Sequence, residues 1–166
     1  MKGFTILFLL ISNALWAQQS NTVEPYKSDA FVELLGSGGY ASINLERMVY
    51  HFKKYSIGIS AGLSTFKLKD FEQEFNPDVI VPTGARLYYG GFHHKIFAGI
   101  GQTLTSISKL NTETFNPQRI YRLSANFMLG YRYDFKRMLL QIAYTPIWSN
   151  YNKYYNWLGL AVGFKF

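Results

Sequence analysis

The chain has 166 residues, no cysteine, and a formal charge of +7 from 17 Lys and Arg against 10 Asp and Glu. Without thiols there is no disulfide framework and no thiolate metal site. The basic residues are scattered and form no run of the kind that tracks nucleic acid, so attraction to anionic lipid headgroups is the expected consequence of the charge.

From the N-terminus, Met1-Lys2 gives a positive start, Phe4 to Ile11 is an apolar run broken only by Thr5, and Asn13 to Ala17 ends on a small residue. This order reads as a secretory signal peptide over residues 1–17, cut after Ala17, although Leu15 departs from the A-x-A pattern. The run is too short for a membrane helix, which needs about 20 apolar residues, and no later run is long enough. Residues 18–29 contain Pro25 and lack alternation, and read as a short periplasmic lead-in. An exported chain with alternating segments and no helix candidate leaves one way to span a bilayer, the closed β-barrel, over residues 30–166.

Ala30, Val32 and Leu34 are apolar at even positions, whereas Ala41, Ile43 and Leu45 are apolar at odd ones. The parity flips across Gly36-Ser37-Gly38-Gly39, so this region is either two strands (about 30–36 and 40–50) joined by a tight hairpin or one strand kinked by a glycine bulge. Tyr55, Ile57, Ile59, Ala61 and Leu63 then share one face against Ser56, Gly58, Ser60 and Gly62. Val79, Val81, Ala85, Leu87 and Tyr89 oppose Gly84, Arg86 and Tyr88, and Ile96, Ala98, Ile100 and Leu104 oppose Gly99, Gly101, Thr103 and Thr105. From Tyr121 to Tyr133 the odd positions are apolar or aromatic, and the even ones include Arg122, Asn126 and Arg132. Leu140, Ile142 and Tyr144 oppose Gln141, Ala143 and Thr145. Finally Leu158, Leu160, Val162, Phe164 and Phe166 oppose Trp157, Gly159, Ala161, Gly163 and Lys165. Apolar-out, polar- or small-in alternation is the mark of a transmembrane β-barrel, and the 18% aromatic content suits its interfacial girdles.

Both ends of the barrel are expected in the periplasm, which requires an even strand number, so the hairpin reading gives about eight antiparallel strands in an all-β, up-and-down barrel. His51 to Lys54, Gly90 to His94 and Asp134 to Arg137 become short periplasmic turns. Lys67 to Asp78, Lys109 to Gln118 and Ser149 to Tyr154 become the outer loops, mostly longer and more polar.

The segments FVELLGSGGYASINLER (Phe31 to Arg47), Tyr144-Thr-Pro146 and WLGLAVGFKF (Trp157 to Phe166) give the chain a resemblance to small bacterial outer-membrane β-barrel proteins of OmpA-type architecture. The resemblance covers essentially the mature chain. It implies an eight-stranded barrel and outer-membrane assembly, and it brings no catalytic residue. Phe164 and Phe166 stand as the C-terminal assembly signal for the barrel-assembly machinery; the other expected partners are outer-membrane lipid and lipopolysaccharide, with no nucleic acid.

The chemistry-bearing residues of the interior are Glu33, Glu46, Arg86, Arg122 and Arg132, with Lys165, Asn44, Asn126 and Gln141. They could line a conductive path or bind an anionic ligand. The steric reading is a packed polar network in which carboxylates pair with guanidinium groups, because an eight-stranded interior is only wide enough for side chains or one small ligand. His93-His94 lacks a third ligand, so no metal is expected, and no cofactor. A lipid-modifying enzyme would need a nucleophile, a base and an orienting group near the membrane face; known barrel lipases and deacylases carry a strand-borne His-Ser pairing that this chain does not resemble, since all three histidines fall at expected inner turns. The sequence therefore points to a non-catalytic outer-membrane barrel acting structurally or through its external loops. A small pore or ligand carrier is the alternative, followed by a lipid-modifying enzyme. The loop Asn150 to Asn156 and the charged segment Lys67 to Glu74 are the candidate contact surfaces.

Overall fold

The computed structural model describes residues 27–69, 77–149 and 154–166. The signal peptide and most of the lead-in lie outside these residues, as do most of the two outer segments singled out as contact surfaces.

Eight strands follow one another in the chain: β1 (Ser28–Gly36), β2 (Gly39–Phe52), β3 (Tyr55–Leu63), β4 (Val79–Gly90), β5 (His94–Leu110), β6 (Pro117–Phe135), β7 (Met138–Ser149) and β8 (Tyr154–Lys165). Each pairs antiparallel with the next, and β8 returns to β1 to close the ring. The closing seam sets Val32 opposite Val162 and Asp29 opposite Lys165. Ser28 and Phe166 exchange backbone hydrogen bonds of 2.9 and 2.7 Å at its end. A β-carbon on Gly163 would run into the Ala30 carbonyl oxygen, so the two strands approach there because glycine leaves room.

The partition of side chains is inverted relative to a water-soluble domain. Ile43, Ile100, Leu129 and Leu160 are 53–67% exposed on the outside of the cylinder. Asp29, Glu46, Arg86, Arg132 and Asp134 are buried within it. Period-2 alternation on a closed sheet produces this directly, since every second side chain points at the axis.

The hairpin reading of residues 30–50 is correct. Gly36 pairs with Gly39 across the two-residue turn Ser37-Gly38, and Gly39 takes φ +86°, a left-handed conformation that glycine adopts without a β-carbon clash. Four details differ from the alternation pattern. Strand β1 opens at Ser28, two residues early, because Ser28 and Asp29 continue the pairing with Arg47 and Glu46. Strands β5 and β6 run on, pairing as far as Leu110 with Pro117, so their outer turn shrinks to residues 111–116. In β2 the register slips between Met48 and Tyr50, leaving Val49 as an extra residue. That bulge turns Tyr50 and Phe52, which simple alternation from Glu46 would aim inward, to the outside. Lastly, His51 and His94 belong to β2 and β5 rather than to turns; only His93 lies in one.

Short turns at residues 53–54, 91–93 and 136–137 gather at the end where Ser28 and Phe166 meet; the outer connections gather at the other.

Candidate functional site

Among the described residues, ionisable groups converge in the lumen, which divides into two levels. Near the short-turn end, Arg132 of β6 is 1% exposed and holds three carboxylates. Its Nη1 donates to Asp29 Oδ2 at 2.6 Å and lies 3.5 Å from Glu46 Oε2; its Nε donates to Asp134 Oδ1 at 2.7 Å. Tyr88 Oη donates to the same Glu46 oxygen at 2.7 Å, and the Arg132 guanidinium lies 5.3 Å from the Tyr88 ring centroid. Asp134 is also met by Lys95 at 3.4 Å and Lys165 at 3.7 Å.

Arg86 of β4 stands just above, 3.5 Å from Glu46. Its guanidinium lies between two rings, 5.1 Å from the Phe31 centroid and 5.7 Å from that of Phe97. A buried guanidinium is costly unless paired, and ring faces supply part of what water would have given. Tyr88, Phe97, Met128 and Ala143 pack together in a buried cluster around this level.

The outer half also holds charged side chains, among the described residues Glu33, the buried Asp78 and the half-buried Arg122. The Glu33 carboxylate accepts from the Ser37 backbone N–H at 3.2 Å and from its hydroxyl at 3.1 Å. Thr103 of β5 donates to the Ser37 carbonyl oxygen at 2.8 Å, and Asn126 of β6 donates to Thr103 Oγ1 at 3.2 Å. The β1–β2 tip is thus bent into the mouth of the barrel and fastened to the far wall: Ser37 is 6% exposed, and a β-carbon on Gly38 would lie 3.3 Å from Pro82. Leu35, just before the tip, takes φ +57°, where an L-residue is strained, and Gly39 lies just after it. These two left-handed positions frame the inward bend.

Of the five interior residues named from the sequence, Glu46, Arg86 and Arg132 come together. Glu33 sits apart, held by the Ser37 tip, with no arginine at ion-pair distance among the described residues. Arg122 is half-buried further out on β6, opposite Thr105. Sequence reasoning missed Asp29, which the lead-in boundary set outside the barrel, and Asp134, which was placed in a turn. Both continue the inward parity of their strands, Asp29 with Phe31 and Asp134 with Arg132, so the signal was present. Correcting the histidines, His51 lies in register opposite Ser56 on the inward face.

No family model and no curated protein matches the chain. Solved structures do. The N-terminal β-barrel domain of Pseudomonas aeruginosa OprF superposes with a TM-score of 0.56 at 16% identity, covering 84% of this chain and 96% of that one. The crystal structure of the Yersinia pestis attachment invasion locus protein, Ail, gives a TM-score of 0.55 at 10% identity, over 85% of this chain and 99% of that one. Ail in phospholipid bilayer nanodiscs gives 0.50 at 11% identity, over 85% and 99%. At these identities the likeness is one of fold: the chain is a small eight-stranded β-barrel of the outer-membrane type.

Proposed function

We propose that the chain is a non-catalytic barrel of the bacterial outer membrane, in which a filled, rigid cylinder anchors external loops that contact surface molecules. The filled lumen carries this reading. Charged side chains from β1, β2, β4, β5, β6 and β8 pair with one another in its inner half, and the Ser37 tip occupies its mouth. Such a lumen leaves the rim and loops to do the work. The apolar outer wall supports residence in a membrane, because a continuous surface of that kind is an aggregation hazard in water. Its partners on this reading are outer-membrane lipid and lipopolysaccharide, and the barrel-assembly machinery, which would read Phe164 and Phe166, 61% and 63% exposed at the end of the chain.

Catalysis at the membrane face is disfavoured by burial. Ser56, the serine opposite His51, is 2% exposed and faces the lumen, out of reach of a lipid acyl chain.

Planar-bilayer recording is expected to show no steady channels; sustained unitary conductance would overturn the filled-lumen reading. A pull-down of surface glycans and secreted proteins with the intact barrel and with an outer-loop-shortened version should give different recoveries. Equal recoveries would count against the loops as the contact surface. Release of acyl chains from labelled lipopolysaccharide would contradict the non-catalytic assignment.

A further inference from the structure

The bent β1–β2 tip is lightly fastened. Its two bonds to Glu33 are local to the hairpin, because Glu33 lies on β1 itself, four residues before Ser37. Among the described residues, the hydrogen bond that ties the tip to the far wall is the one from Thr103 to the Ser37 carbonyl oxygen. Elsewhere the tip meets the wall through glycine: a β-carbon on Gly159 of β8 would lie 3.2 Å from the Gly36 Cα, and one on Gly38 would lie 3.3 Å from Pro82. Two left-handed positions bound the tip, Leu35 at φ +57° and Gly39 at φ +86°. A hinge absorbs a swing at a few element-terminal positions of this kind, and Leu35 gains by leaving a conformation that costs an L-residue energy.

Between the mouth and the Tyr88–Phe97–Met128–Ala143 cluster the lumen is polar. Asn126 is the next inward position from Met128 towards the mouth on β6, and Thr145 is the next from Ala143 on β7. Both are buried, at 4% and 0% exposure. Neither Asn126 Oδ1 nor Thr145 Oγ1 has a hydrogen-bond partner among the described residues. Buried polar atoms left in that condition cost free energy, which a hydroxylated molecule reaching them would recover. Below them stand the apolar cluster and the pairs that Arg86 and Arg132 make with Glu46.

We propose that the Ser37 tip is a hinged plug. Swinging out on Leu35 and Gly39, it opens the outer half of the lumen as a blind vestibule for small neutral hydroxylated solutes, while the inner half stays shut. Asn126, Thr103 and Thr145 offer an amide and two hydroxyls, which are partners for a neutral solute rather than for an ion. The vestibule ends on the cluster and the ion pairs, so its opening makes no path through the barrel. The inference goes beyond the anchoring role proposed above and rests on the filled inner half of the lumen.

The chain has no cysteine, so a single introduced thiol reports without background. T145C exchanges an unpartnered hydroxyl for a thiol in the vestibule; A143C sets the thiol one inward position deeper, within the cluster. Each full-length barrel is folded into lipid vesicles and exposed to hydroxyethyl methanethiosulfonate, a small neutral hydroxylated probe. The folded gel band is then scored by mass for the mixed disulfide. T145C is expected to be labelled, and A143C to stay unlabelled over the same time. Adding T103V to T145C should speed labelling about fivefold, the weight of one hydrogen bond. Adding G159A, whose methyl group presses on Gly36, should also speed it, and T103V decides the matter if G159A yields no folded band. T145C left unlabelled, or labelled no faster with T103V or with folded G159A, would overturn the hinged plug and leave the filled lumen standing. A143C labelled as fast as T145C would overturn both, because the whole interior would then be opening.

Discussion

Arg132 Nη1 donates to Asp29 Oδ2 at 2.6 Å across the lumen, joining β6 to β1, which are not neighbours in the ring. Both groups are at most 2% exposed, so removing either leaves a charge stranded in a water-poor interior. R132M is expected to cost about 3–5 kcal/mol, with D29N costing less because Asp134 and Glu46 still face the arginine. Urea midpoints of the folded-to-unfolded gel shift in lipid vesicles measure this. A double variant no worse than R132M alone would confirm that the two act as one pair, and full additivity would show that they do not.

The Thr103 hydroxyl fastens the Ser37 tip to the opposite wall. T103V removes that donor while keeping the side chain's shape, and should cost about 1 kcal/mol, the usual net worth of such a bond. Its larger effect is local: without the tether the tip opens more often, so backbone amides from Ser37 to Gly39 should exchange faster while those of β5 stay protected. Unchanged exchange at the tip would mean that Glu33 and the bent backbone hold it without Thr103.

Much of this architecture was legible because a closed sheet obeys a two-residue period. The parity flip at Gly36 to Gly39 located the first hairpin, and inward parity placed Glu46, Arg86 and Arg132 in the lumen. The pairing of Glu33 was not legible. Parity says only that Glu33 points inward, and its partner is the backbone of a tip that folds back on it. The Val49 bulge was hidden for a related reason: one extra residue among Met48, Val49 and Tyr50, all apolar, leaves no polar marker of the slip. Asp134 was read as a turn residue because charge next to Lys136-Arg137 looks like loop, whereas the ladder continues through Asp134 opposite Leu139.

Ile100, 67% exposed midway along β5, tests what surrounds the wall. In a bilayer, I100R should destabilise the barrel by about 2–4 kcal/mol, as arginine does near the midplane. Tyr121, 68% exposed towards the outer end of β6, should accept arginine at about 0–1 kcal/mol, the cost near an interface. The contrast between the two positions is the informative quantity, read from vesicle refolding midpoints. Equal, near-zero effects would mean that no hydrocarbon layer covers Ile100.

The bulge makes an asymmetric prediction for deletions within β2. Removing Val49 takes away the residue that has no partner on β3, so the ladder can run from Met48 opposite Gly58 straight to Tyr50 opposite Ile57. Tyr50 and Phe52 keep their outward aim, and the deletion should refold with a midpoint near that of the parent. Removing Asn44 instead takes a residue from the regular ladder, where it faces Gly62. Every side chain between that point and one end of the strand must then change face, sending either Glu46 towards lipid or Ile43 into the lumen. That variant should fail to give the folded gel shift. If both deletions refold equally well, the alternation in β2 is not what fixes its register, and the turns at its two ends must be setting it instead.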